Sequence, residues 1–166
     1  MFELRAMAGE TKPVLYAGLL EQATALIQDE RDWLANLANT ASLIYHLLPG
    51  LNWAGFYLWR HEQLVLGPFQ GKPACVRIAL GRGVCGTAAQ RRATVVVPDV
   101  HLFPGHIACD AASRSEVVVP LGRAERLLGV LDLDSPELER FDRVDAHHLE
   151  LLVRMLVDGS DWPAHW

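Results

Sequence analysis

Thr94-Val95-Val96-Val97-Pro98-Asp99-Val100-His101-Leu102-Phe103-Pro104-Gly105-His106-Ile107-Ala108-Cys109-Asp110-Ala111-Ala112-Ser113-Arg114-Ser115-Glu116-Val117-Val118-Val119 reads as strand, long loop, strand. The β-branched run stops at Pro98, which has no N–H to give a ladder, and a second such run opens at Glu116. Loops of this length without repeating structure inside a compact domain are usually functional or disordered. Phe103, Ile107 and Cys109 speak against disorder. The stretch is read as an ordered active-site loop that carries a reactive thiol.

Outward from this loop, short strands follow one another in hairpin fashion. Trp53–Trp59 and Gln63–Leu66 are two strands joined by a turn at Arg60-His61-Glu62. Gly67–Pro73 reads as a loop, and Cys75-Val76-Arg77-Ile78 as a short strand. Val84–Arg92 is a short helix after the turn Gly81-Arg82-Gly83. Leu127–Asp134 is the last strand, after a turn at Gly122–Glu125 and before the break at Ser135-Pro136. Helices sit mainly at the two ends of the chain. Pro13–Leu48 is helical, broken at Asp29–Asp32, with Asp32 as N-cap of the second segment. Phe141–Val157 closes the chain, with Val144, His148, Leu151, Leu152, Met155 and Leu156 as its apolar stripe. The predicted fold class is α+β: an antiparallel sheet of about six strands with N- and C-terminal helices packed on it.

The 166 residues predict one domain. Residues 1–12 form an N-terminal extension, 13–158 the domain, and 159–166 a polar tail with two exposed tryptophans. The net charge of −5 argues against nucleic acid, whose binding rests on phosphate neutralisation. No apolar run is long enough to span a membrane, and the start has no signal-peptide pattern, so the expected location is cytoplasmic. The three cysteines, Cys75, Cys85 and Cys109, match no C-x-x-C redox or zinc spacing. All three are expected at loop edges, where two could approach and pair. Cys85 falls just inside a helix start, which favours the thiolate; an imidazolium from His101 or His106 would do the same for Cys109. The ordinary alternative is three buried structural thiols.

Asp132-Leu133-Asp134 puts two carboxylates on one face of the last strand, with Leu131 and Leu133 on the other. Glu116 can join that face. Three acids around a cavity suit a cationic ligand group, and one of them, kept protonated by its neighbours, can donate a proton. The ordinary alternative is a strand end reaching solvent. No ligand spacing supports a metal among these acids and histidines, so none is expected. Trp53 is core or an aromatic pocket wall. His147 and His148 are a surface residue and a core-edge residue.

Leu66-Gly67-Pro68-Phe69-Gln70-Gly71, Gly83-Val84-Cys85-Gly86-Thr87, Val100–Asp110, Ser115–Pro120 and Gly129–Ser135 together resemble the free methionine-(R)-sulfoxide reductases, small single-domain GAF proteins. The resemblance implies a GAF fold over 13–158 and reduction of free methionine sulfoxide without a bound cofactor. It implies Cys109 as nucleophile, Cys75 as resolving partner and Cys85 as an alternative resolving thiol. Glu116, Asp132 and Asp134 match the family's acidic substrate contacts, with Glu116 also the proton donor, and Trp53 matches its aromatic wall. The implied partners are the free sulfoxide and thioredoxin as external reductant, with a homodimer common for this domain type. The competing reading is a GAF-type module that binds a small molecule or senses redox state without turnover.

Overall fold

The computed structural model describes residues 2–5, 9–106 and 110–164. Helix α1 (Lys12–Ile27) begins at Lys12 with Pro13 in its first turn, where a missing N–H costs nothing. Helix α2 (Trp33–Leu47) starts as expected at Asp32, whose side chain accepts from the Ala35 N–H at 2.8 Å. Its buried face runs through Leu37, Ala41, Ile44 and Leu47, while Leu34 turns outward.

Strands β1 (Trp53–Arg60) and β2 (Gln63–Gly71) form the predicted hairpin. His61 and Glu62 both have positive φ at its turn, which matches the twist of the flanking strands. β2 is longer than the sequence suggests, because Gly67–Gly71 is strand rather than loop. A bulge opposite Gly55–Tyr57 re-registers the pair, so that Phe69 lies across from Gly55 and Gly71 from Trp53. Strand β3 (Arg77–Ala79) pairs only with Gln63–Val65, so Pro68 needs no partner on that side. Cys75 therefore precedes β3 instead of starting it.

Helix α3 (Gly83–Arg91) and strand β4 (Val95–Val97) follow, and then strands β5 (Ser115–Arg123) and β6 (Arg126–Ser135). The six strands are antiparallel in the order β3-β2-β1-β6-β5-β4. The first and last strands of the chain thus meet at the centre, and α+β holds as predicted.

Alternation sends Ala54, Phe56, Leu58, Val117, Val119, Leu131 and Leu133 to one face. That face is covered by α1, α2 and helix α4 (Arg143–Gly159). The stripe of α4 is turned one position from the expected one: Leu149, Leu152, Val153 and Leu156 are buried, and Val144 is exposed. The cause is Asp145. It is fully buried, pairs with Arg140 at 3.1 Å and with Lys12, and accepts from the Tyr16 hydroxyl at 2.9 Å. A buried charge is tolerated only when so paired, and it fixes the rotation of α4 over α1. His148 stacks on Tyr16 at 5.0 Å while His147 is exposed. Trp162, expected to be exposed, stacks on Trp33 at 5.8 Å. Among the described residues no helix is long and apolar enough to cross a membrane.

The opposite face of the sheet carries Trp53, Tyr57, Val118 and Val130 and is covered by α3. Gly55 makes this face usable. A Cβ there would sit 2.3 Å from the Phe69 Cβ and 2.7 Å from the Trp53 ring, inside atoms already stacked on each other at 5.4 Å. We expect Gly55→Ala to lose about 1–3 kcal/mol in urea unfolding and to shift the tryptophan emission, because Trp53 must leave the stack. An unchanged midpoint would mean that the stack yields freely.

Candidate functional site

Register alone assembles the floor of the site. Trp53 on β1 lies opposite Asp134 on β6, and Asp134 lies opposite Glu116 on β5. Asp132 lies between Gly55 and Val118. Because side chains alternate at a period of two, all these groups stand on the α3 face. Cys85, in the first turn of α3, closes over them. His106, Asp110 and Ser113 come from the long loop, which contains a 3₁₀ turn at Val100–Leu102. The walls bound a small cavity of about 30 Å³ that opens to solvent.

Glu116 and Asp132 are buried, 5% and 6% exposed, and Asp134 is half-buried. Burial pushes all three carboxyl groups up from their ordinary range. Hydrogen bonds from Cys85 and Glu116 restrain Asp132, which rises to about 6. Glu116 and Asp134 go well higher, since each also feels the charge of Asp132. The set therefore titrates as a unit in which Asp132 ionises first. Its Oδ1 is buried without a hydrogen-bond partner.

The Cys85 thiol donates toward Glu116 Oε1 at 3.9 Å and is 4% exposed. Burial, then the charges of Asp132 and Glu116, push its pKa well up. This overturns the expectation of a thiolate at the helix start: two carboxylates and lost solvent outweigh the partial charge of one helix end. Cys85 is also part of the cavity wall rather than a loop-edge residue. His106 Nε2 stands 3.6 Å from Glu116 Oε2. Burial and the nearby His101 lower its pKa, so it meets Glu116 as a neutral ring and not as an imidazolium. The sulfur of Cys85 and one oxygen each from Glu116 and Asp132 lie within 4.8 Å of one another. Such convergent donors suit a cation, and an organic ammonium is one.

The loop before β3 is tied to this floor. Trp53 Nε1 donates to the Lys72 carbonyl at 3.1 Å, and the Tyr57 hydroxyl to the Cys75 carbonyl at 3.0 Å. Lys72 reaches Asp110 at 3.1 Å, and Asn52 Nδ2 bridges to Ser113 Oγ at 3.0 Å. The Ala112 N–H and Lys72 keep Asp110 below the usual carboxylate range.

Residues 22–158 match the family model of the GAF domain. The free methionine-R-sulfoxide reductase of Escherichia coli (strain K12) is 53% identical over 145 residues, 87% of this chain and 88% of that protein. That of Saccharomyces cerevisiae is 46% identical over 146 residues, 83% of this chain and 81% of that protein. The X-ray structure of the Neisseria meningitidis free methionine-R-sulfoxide reductase in complex with its substrate superposes with a TM-score of 0.91 at 48% identity, covering 96% and 95% of the two chains.

The chain belongs to the free methionine-R-sulfoxide reductase family of GAF domain proteins.

Of the residues that the resemblance to this reductase family singled out, the fold gathers Trp53, Cys85, Glu116, Asp132 and Asp134 around one cavity. Cys75, half-buried, packs at the edge of the same apolar cluster. Cys109, the expected nucleophile, lies outside the described residues. Sequence reading passed over Tyr57, Asp110 and Ser113. The period of two from Trp53 could have placed Tyr57, since residues two apart share a strand face. Asp110 and Ser113 carry no comparable signal, because loop geometry alone brings them in.

A carboxyl group whose pKa is raised on folding contributes stability that is fully present below its unfolded pKa and lost as pH rises through the folded value. For Asp132 that window runs from about 4 to about 6. Asp132→Asn is therefore expected to gain stability relative to the parent protein as pH rises through this window, by on the order of 3 kcal/mol. Parallel urea titrations across the pH range check it; a difference that does not change with pH would refute the burial of this charge.

Proposed function

We propose that this protein reduces free methionine (R)-sulfoxide to methionine, with residues 13–158 as the catalytic unit. The observation that carries the proposal is the floor of the cavity: an indole face beside three carboxyl groups of unequal acidity, two of them buried and Asp134 half-buried. The substrate has a methyl-sulfoxide end that packs on an aromatic wall, and an ammonium end that needs a carboxylate. Trp53 supplies the first and the Asp132–Asp134 pair the second. Glu116, whose pKa is pushed well up by burial and then by the charges of Asp132 and Asp134, is the donor to the sulfoxide oxygen.

In the chemical step the Cys109 thiolate attacks the sulfoxide sulfur. The oxygen leaves that sulfur with a proton from Glu116 and ends on the cysteine as a sulfenic acid. The substrate sulfur gains two electrons and departs as methionine. Cys75 then condenses with the sulfenic acid, releasing water and forming a disulfide. Thioredoxin, or a similar dithiol, reduces that disulfide by two exchanges. Cys85 is the alternative resolving thiol, and the weaker one, because its surroundings keep it neutral. The cytoplasm, where such reductants reside, is the location that suits this cycle. A homodimer remains part of the proposal by analogy with the domain type.

NADPH consumption in a thioredoxin-coupled assay tests the reading. Turnover is expected with the free (R)-sulfoxide, abolished in Cys109→Ser and strongly reduced in Cys75→Ser. Binding of the sulfoxide without any turnover would favour the sensor module instead. Glu116→Gln is expected to lower kcat about a hundredfold while changing KM little. An effect confined to KM would remove Glu116 from the proton transfer and leave it as a binding contact.

A further inference from the structure

The segment 72–76 joins β2 to β3 without regular structure, and its shape is set from below by β1. The indole of Trp53 holds its first carbonyl at Lys72, and the hydroxyl of Tyr57 holds the carbonyl of Cys75. Tyr57 is 1% exposed and stacks beside Trp53 at 5.9 Å. A phenylalanine would fill that wall with the same apolar surface. What the hydroxyl adds is a directed hydrogen bond to the backbone of the cysteine itself. From the side facing the long loop, Lys72 is drawn to Asp110, the residue that follows Cys109 in sequence.

We infer that the Tyr57 hydroxyl is the positioning group for Cys75, fixing its backbone for the step that resolves the oxidised nucleophile. The inference rests on the reductase reading above. In that step the Cys75 sulfur attacks the sulfur of the Cys109 sulfenic acid. An S–S bond forms and the S–O bond breaks. The hydroxide takes the thiol proton and leaves as water, with no electrons supplied from outside. An attack along one line at one sulfur is sensitive to placement, and a tethered nucleophile gains its rate from a restricted search. Trp53 and Tyr57 are four residues apart on one strand face. The same wall that receives the substrate therefore also sets the thiol that acts after the substrate has gone.

The test separates the two steps in one experiment. Reduced protein is mixed with one equivalent of free methionine (R)-sulfoxide and no reductant. Methionine release is followed by quenching, and Cys75–Cys109 disulfide by mass spectrometry of alkylated peptides. In Tyr57→Phe the ratio of the disulfide rate to the methionine rate should fall roughly tenfold, with a dimedone-trappable sulfenic acid accumulating between them. If the two rates keep the parental ratio, whether both fall or neither does, Tyr57 is only part of the wall and the inference is lost. Lys72→Met, at an exposed position, loosens the same segment from its other end and should lower the ratio in the same direction by a smaller factor. Should Tyr57→Phe not fold, an unchanged ratio in Lys72→Met overturns the proposal. A parental rate of turnover in Cys75→Ser would be a different failure, that of the resolving role of Cys75 itself.

Discussion

The pairing of β1 with β6 and of β6 with β5 is the constraint on which everything else depends. It puts Trp53, Asp134 and Glu116 side by side on three neighbouring strands, with Asp132 opposite the bare backbone of Gly55. A slip of one residue in either pair would send the acids into the leucine-rich core under the terminal helices and the leucines into the cavity. Two large residue sets therefore fix one register, one by burial of apolar surface and the other by the cost of burying charge among it. The helices serve this arrangement. On the apolar face the ion-paired Asp145 fixes how α4 sits against α1, and on the other face α3 closes Cys85 over the acids.

Among the described residues no lysine or arginine forms an ion pair with the three carboxyl groups, and the electrostatics of the site follow from that. Among the described residues the basic groups at the cavity are Arg82 at its rim, His106, held neutral, and Lys72, whose charge is spent on Asp110 beyond the acids. Protons take the place of a counter-ion. The restraint that Cys85 and Glu116 exert on Asp132 makes the set unequal, with one group readier to be a carboxylate and the others readier to be acids. The same surroundings push the Cys85 pKa up, against the pull of the helix start.

Much of this was legible in the chain. The alternation in Asp132-Leu133-Asp134 places both acids on one face by itself, and Glu116 at the head of a valine run joins them because neighbouring strands share faces. Asp32 announces α2 as an N-cap. The stretch Gly67–Gly71 was misread because Gly and Pro normally punctuate; here a bulge absorbs Pro68 at a strand edge, and Phe69 continues the wall. The stripe of α4 was misread by one position because a burial pattern scored on apolar residues has no place for Asp145.

The sequence by itself determined the element types, the two-faced strands, the kinship of the motifs and the identity of the acids, since each is a property of neighbours along the chain. Only the tertiary structure decided that β1 and β6 meet at the centre of the sheet, that Cys85 is a neutral wall thiol, and that Tyr57 and Trp53 hold the segment bearing Cys75. Those depend on contacts between residues far apart in the chain, where solvent is excluded and charges feel one another. No local pattern encodes how strongly.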